Sequence, residues 1–525
     1  MTMPVERAAD PDPSDFTFAP LTPAAFLTRA AQAFAHRTAI IDGDRTFTYA
    51  DYHRRTLALT GVLEDLGIGE GDRVAALCAN SHVMLELHSA IPLHGSVLVP
   101  LNIRLSAPEV EYILDHSGAK VLVATAEFAD VAAKVATAVG IRLIVAGGPD
   151  DEYEQLLSQS PGAVQREPSE RGLLAINYTS GTTGRPKGVM YHHRGAYLQA
   201  VSMAYQSRLD PGSNYLWTLP MFHCDGWCFT WAVTAAGGTH VCLRAIDTAE
   251  IWRLVRDTGI THFCAAPTVL TMIAEDRSAS PLDTPIQVST GGAPPSPALL
   301  ARMAALNIEV THLYGMTETF GPIVVNQWQP EWDAATPDEV AEKKARQGIG
   351  NITAGPVRVV SPDGDDVPSD AQTLGELVVR GNNVMLGYYR DPDATRAATI
   401  DGWLRTGDLA VMHPDGYVEL KDRSKDVIIS GGENIASVEV ERVLDAHPDV
   451  VESAVVGRPD ERWGEVPVAY VTVRSGRDLT AADLIEFART RLARFKVPKE
   501  IVFSDLPKTS TGKIQKNVLR SGHGR

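Results

Sequence analysis

Five cysteines are scattered through 525 residues, at Cys78, Cys224, Cys228, Cys242 and Cys264. An odd, unpaired set excludes a disulfide scaffold and fits a reducing compartment, so the expected location is cytoplasmic. His223-Cys224 with Cys228 hints at zinc, but no second ligand pair stands at a useful spacing, and the thiols read as inert and mostly buried. Positive charge is also short. With 48 Lys and Arg against 65 Asp and Glu the formal net charge is −17, which excludes nucleic acid as the main partner. There is no apolar core behind the first methionine, hence no signal peptide is expected. The longest uncharged run, 226–243, contains Gly237-Gly238 and His240 and is barely long enough to span a membrane; a buried helix–turn–strand suits it better.

What is present in quantity is apolar residue, 44% of the chain, enough for several large cores. Between residues 74 and 290, short near-continuous apolar strands alternate with helical segments. That pattern predicts α/β architecture with parallel-rich sheets covered on both faces. From about 350 to 421 the texture becomes short strands separated by Asp/Gly turns, a small β subdomain. A charge cluster at 421–426 follows and reads as a linker. The last hundred residues carry their own alternating elements, a small α+β domain. The expected division is a large domain over 1–421, a hinge at 422–425 and a mobile C-terminal lid domain over 426–525.

The stretch YTSGTTGRPKG at 178–188 packs three glycines, hydroxyls and two cations into one loop. Its ingredients suit an anion, through backbone N–H groups, hydroxyls and ammonium. It is not a Walker loop, because Pro186 precedes Lys187 and Gly188 follows, so no helix opens there.

Further motifs follow in order: Tyr314-Gly315-Met316-Thr317-Glu318, Gly402-Trp403-Leu404-Arg405-Thr406-Gly407-Asp408, Asp422-Arg423-Ser424-Lys425, and Pro507-Lys508-Thr509-Ser510-Thr511-Gly512-Lys513. With the loop, they resemble the adenylate-forming superfamily of acyl-CoA synthetases, adenylation domains and luciferases, over roughly residues 25–520. The FHCDGWCFTW run at 222–231 is similar to the medium-chain and methylthiopropionate-type ligase branch. The resemblance implies ATP, Mg²⁺ and coenzyme A as reactants or cofactors, and a short-, medium- or long-chain aliphatic carboxylic acid converted through acyl-AMP to a thioester, with AMP and pyrophosphate released.

It also implies roles. Thr179, Ser180, Gly181, Thr182, Thr183, Gly184 and Lys187 would hold the β,γ-phosphates, and Glu318 with Thr179 the magnesium. Gly292, Ala293 and Pro294 would form the adenine slot, with Tyr314 stacking on the base beside Gly315 and Thr317. Asp408 and Arg423 would take the ribose. Lys513 would stabilise charge at the α-phosphate. His223 would gate the acyl carboxylate, with Trp227, Trp231 and Gly292 walling the acyl pocket. Lys425 would be the hinge, and Gly431 and Gly432 would line the pantetheine tunnel. Asp225 departs from the pattern, and its burial would require a partner. The expected partners are small molecules, with a homodimer left open. Loading of a carrier protein, luciferase-like oxygenation and an inactive acyl-AMP or CoA sensor are the competing readings. No carrier segment follows Lys513, and Lys187, Glu318, Asp408, Arg423 and Lys513 are all in place, which favours the ligase.

Overall fold

The structure, a computed structural model, describes residues 19–160, 162–179, 185–423, 426–430, 433–460, 462–474, 476–508 and 514–522. Among the described residues two large sheets carry the first 350 or so positions, one of nine strands and one of seven. In the first, the strands Ile308–Met316, Ile286–Thr290, His262–Ala265, Asn214–Leu216, Thr239–Val241 and Thr38–Asp42 lie side by side in that order, all parallel. Antiparallel strands close its two edges. In the second, Leu173–Tyr178, Val97–Pro100, Arg73–Leu77, Ala119–Thr125 and Arg142–Ala146 are parallel, again with antiparallel strands added at one edge. The inner strands are largely buried because both faces are covered, as the alternation predicts.

The main core lies where the sheets share helices. Ile40 and Tyr215 from one sheet and Val74 and Leu98 from the other join Leu59, Leu87, Ala200 and Phe229 from helices in one cluster. The uncharged run at 226–243 sits here as expected: helix Phe229–Ala236, a turn, then strand Thr239–Val241. Gly237 ends that helix at φ 76°, and a Cβ there would strike the Phe34 ring at 2.3 Å, so only glycine fits. Among the described residues no helix is long and apolar enough to cross a membrane.

One partly buried ionic cluster lies beside this core. Arg55 donates to Glu86 at 2.5 Å and to Glu154 at 2.7 Å, while the Tyr153 hydroxyl donates to Glu86 at 2.6 Å. The Glu86 side chain is fully buried. Glu86→Ala keeps the Arg55–Glu154 pair but leaves Arg55 Nε and the buried Tyr153 hydroxyl without their acceptor, so it is expected to destabilise the protein by about 2–3 kcal/mol. Urea unfolding checks this as a lower midpoint at unchanged slope; a loss below about 1 kcal/mol would show the cluster to be solvated.

The small β subdomain appears as a five-stranded sheet built on Arg358–Val360, Gly375–Val379 and Trp403–Met412. Here the structure differs from the expected linker. Strand Val418–Arg423 pairs with Trp403–Met412, setting Asp408 opposite Arg423 and Leu409 opposite Asp422, so the charge cluster begins inside a strand. A half-exposed edge ladder tolerates charge, and Asp422 is further used by accepting from the amide of Ser437 at 2.5 Å. Beyond it, Val450–Asp460 and Gly464–Val473 form a long antiparallel pair with Glu500–Phe503 added in parallel, covered by helices Ser437–Asp445 and Ala481–Arg489. This unit has its own core around Val440, Leu444, Val455, Val471 and Leu484. A solvent-exposed bridge, Arg474 to Glu275 at 2.7 Å, joins it to the larger body.

Candidate active site

The sequence places its motifs at the carboxyl ends of the parallel strands, where open α/β sheets bind ligands. The glycine-rich loop joins strand Leu173–Tyr178 to strand Gly188–His192, which are antiparallel neighbours. Its neck is closed by the Thr179 amide donating to the Lys187 carbonyl at 3.0 Å. It is thus a hairpin loop rather than the start of a helix, consistent with the lysine–glycine order. Ser180, Gly181, Thr182, Thr183 and Gly184 lie outside the described residues.

The described flanks of the loop meet the second motif. The Lys187 ammonium stands 4.8 Å over the Tyr388 ring, and the Tyr388 hydroxyl donates to Glu318 Oε1 at 2.7 Å. Burial and the adjacent Glu318 carboxylate push the Tyr388 phenol well above its ordinary value, so it remains a donor. Tyr388 belongs to a two-residue strand that pairs with Gly188–His192. Sequence reasoning missed it, since nothing in its local pattern sets it apart. Tyr191 adds a second tie by donating to the Thr317 carbonyl at 2.6 Å. Gly315 must be glycine: a Cβ would lie 2.0 Å from the Gly321 carbonyl oxygen across the turn.

Asp408 lies within strand Trp403–Met412, after a residue at φ 71°. It is buried, accepts from the Tyr314 hydroxyl at 2.6 Å, and pairs with Arg423 Nε at 3.4 Å. The three residues expected around the nucleoside are therefore in direct contact. Tyr314 is held by its hydroxyl, an unforeseen restraint that fixes its ring. Gly292 and Ala293 are exposed after strand Ile286–Thr290, Pro294 is half-buried, and the space around Gly292 Cα is open at φ 86°.

Next to His223, residues 224–228 form a left-handed turn. Cys224, Asp225, Gly226, Trp227 and Cys228 have φ of 46°, 43°, 58°, 53° and 63°. Four of them carry a Cβ, and each such residue costs about 1–2 kcal/mol relative to the right-handed form. Strain of this kind persists only where surroundings over-determine it. Trp227 is wedged between two glycines: a Cβ on Gly291 would approach its ring at 3.0 Å, and one on Gly321 at 3.1 Å. Those glycines, not Gly292, are the ones whose missing side chains admit the indole. Trp231 is 1% exposed, donates to the His88 carbonyl and packs edge-on to Phe320, so it backs the wall from the interior. Desolvation holds the His223 imidazole at about 4, making it neutral near pH 7. Cys224 lies 3.8 Å from the Thr317 hydroxyl, linking the His223 turn to the Glu318 motif; burial pushes its thiol up to about 12, so it is unreactive. All five cysteines are unpaired and buried.

Lys425, Gly431, Gly432 and Lys513 fall outside the described residues. The base of the Lys513 loop is closed by a bridge between Lys508 and Ile514 and by Gln515 donating to the Pro507 carbonyl at 2.8 Å. Lys516, just past it, pairs with Glu441 at 2.7 Å. Among the described residues no three His, Cys, Asp or Glu side chains converge as a metal cage. A single oriented carboxylate at Glu318 next to a phosphate loop does suit Mg²⁺, which takes few protein oxygens and completes its shell with phosphate and water.

Two sheets, a hairpin loop between antiparallel strands, a buried carboxylate at Asp408 and a smaller C-terminal body fit the architecture of adenylate-forming enzymes. The chain belongs to the AMP-binding enzyme family, whose profile matches residues 27–389, with the AMP-binding enzyme C-terminal domain matching 439–513. It is 41% identical over 541 residues to the 2-methylpropanoate–CoA ligase of Humulus lupulus, covering 97% of this chain and 96% of that protein. It is 42% identical over 543 residues to the peroxisomal acetate/butyrate–CoA ligase of Arabidopsis thaliana, covering 97% and 95%. ATP-bound MatB from Rhodopseudomonas palustris superposes with a TM-score of 0.84 at 29% identity, over 95% of this chain and 99% of that one. The protein is an ATP-dependent, AMP-forming acyl-CoA ligase.

Proposed function

We propose that the acid activated is a short aliphatic one, of the size of acetate, butyrate or 2-methylpropanoate, and that the reaction uses Mg²⁺ held by Glu318 and Thr179. The observation supporting this reading is the bulk of Trp227, four residues after His223, whose indole packs against Gly291 and Gly321. The relatives named for acetate, butyrate and 2-methylpropanoate support it.

In the first half-reaction a carboxylate oxygen attacks the α-phosphorus of ATP, and the bond to pyrophosphate breaks. The loop and Lys187 hold the β,γ-phosphates. Tyr388 keeps the Glu318 carboxylate in one orientation. Asp408, set by Tyr314 and Arg423, accepts from the ribose hydroxyls. Gly292, Ala293 and Pro294 border the adenine. Neutral His223 packs beside the acid without competing as a counter-ion. Mg²⁺, when bound, neutralises charge on the phosphates. Lys513 would stabilise the charge that develops between the α-phosphate and the attacking oxygen. In the second half-reaction the thiol of CoA attacks the acyl carbonyl and AMP leaves, with Gly431 and Gly432 along the thiol's path and Lys425 as the pivot between the two arrangements. The unpaired, buried thiols support a reducing cytoplasm as the setting.

Pyrophosphate release across a panel of acids, with and without CoA, tests the reading. Acetate to butyrate should turn over with a CoA requirement, and octanoate should show kcat/KM lower by roughly 10²-fold, the scale of a hydrophobic misfit. Trp227→Ala should move the preference toward longer acids. Preference for octanoate in the unaltered protein would refute the short-acid assignment; CoA-independent turnover would favour a carrier loader.

A further inference from the structure

The left-handed turn that carries His223 and Trp227 is tied to one neighbour by a reciprocal pair of hydrogen bonds. Asn177 Nδ2 donates to Asp225 Oδ1 at 2.7 Å, and the Asp225 amide donates to Asn177 Oδ1 at 3.1 Å. Both residues are buried, Asn177 2% and Asp225 0% exposed. The second carboxyl oxygen of Asp225 has no hydrogen-bond partner among the described residues. A carboxyl group is thus retained in a closed, strained turn for the sake of a single amide. That amide is well placed, because Asn177 stands in strand Leu173–Tyr178, two positions before the residue whose amide closes the phosphate loop.

We propose that Asn177 and Asp225 are a positioning pair that fixes the His223–Trp227 turn against the strand feeding the phosphate loop, and so sets the distance between the acid's carboxylate and the phosphate it attacks. The inference rests on the acyl-side reading of that turn. The geometry fits such a role, since a two-point contact resists both sliding and rotation, whereas a single bond resists neither. Burial pushes the Asp225 carboxyl up to about 7, and both bonds of the pair, one accepted by Oδ1 and one donated by the backbone amide, are available in either protonation state. Neither residue touches the reacting atoms; each acts through the turn.

The test compares Asn177→Ala, Asp225→Ala, the double variant and Asp225→Asn, assayed for adenylate formation with the acid that ranks first for the unaltered enzyme and normalised to active sites. Each alanine variant should raise the acid KM and lower kcat, with kcat/KM for the acid down by roughly 10²-fold, the scale for misplacing reacting groups by an ångström. The double variant should be no worse than either single one. Asp225→Asn keeps the accepting oxygen and should stay within a few-fold of the parent. Additive losses, an unaltered acid KM per active site, or an Asp225→Asn variant as impaired as Asp225→Ala would each overturn the proposal. Should Asp225→Ala not fold, Asn177→Ser and Asp225→Ser carry the same comparison. Failure of every acid with the unaltered enzyme would instead refute the short-acid ligase reading, so the two failures are distinct.

Discussion

Lys513→Ala is expected to slow adenylate formation by roughly 10²-fold or more, the scale of one deleted charge-stabilising donor, while supplied acyl-AMP is still converted to thioester at near the parental rate. The reason is where charge grows. As the carboxylate closes on the α-phosphorus, negative charge builds on the oxygens between them, and an ammonium there gains strength in the transition state that it lacks in the ground state. In the second half-reaction charge grows on the acyl carbonyl oxygen and the departing AMP, and by then the pivot proposed at Lys425 is expected to have carried Lys513 out of the site. The described surroundings fit a loop presented from a fixed base: the Lys508–Ile514 bridge closes its neck, Lys508 pairs with Glu452 at 2.8 Å, and Lys516 is fastened to Glu441. Measuring pyrophosphate release alongside single-turnover thioester formation separates the halves. Equal losses in both would refute the assigned role.

The second large effect is expected at Glu318. Glu318→Gln preserves the shape and an oxygen for the Tyr388 hydroxyl, yet removes the negative charge that would attract a hard divalent cation. ATP–pyrophosphate exchange should fall by roughly 10²–10³-fold, and the Mg²⁺ concentration giving half-maximal rate should rise. Tyr388→Phe is the informative companion. It keeps the ring beneath Lys187 but frees the carboxylate, so its loss should be smaller and confined to the first half-reaction. A Glu318→Gln enzyme with parental rates and parental Mg²⁺ dependence would move the cation to other ligands.

Much of this is legible in the chain because the relevant signals are local. Apolar strands alternating with helices declare covered parallel sheets, and strands Arg142–Ala146, His262–Ala265 and Ile286–Thr290 fall where periodicity puts them. The anion loop announces itself by composition, and Pro186 rules out the helix that a Walker loop would open. Other features depend on residues distant in sequence. Tyr388 reaches Glu318 across 70 positions and Asn177 reaches Asp225 across 48, pairings without local periodicity to betray them. The Thr-Gly neighbours of Asp408 point to a turn, but the ladder opposite Arg423 holds it extended. The left-handed run at 224–228 runs against local preference, since four residues with side chains disfavour it; tertiary contacts decide the matter.

The bridge from Arg474 to Glu275 gives the two bodies a loose clasp. Both partners are more than a third exposed, and Glu275 also receives Arg302 at 2.9 Å, so it keeps a counter-ion when Arg474 departs. A wet ion pair of this sort contributes under about 1 kcal/mol and weakens as salt screens it. Rising ionic strength is expected to loosen this contact, while the Arg442–Glu419 pair at 2.9 Å, with its carboxylate only 13% exposed, still ties the smaller body to the larger one.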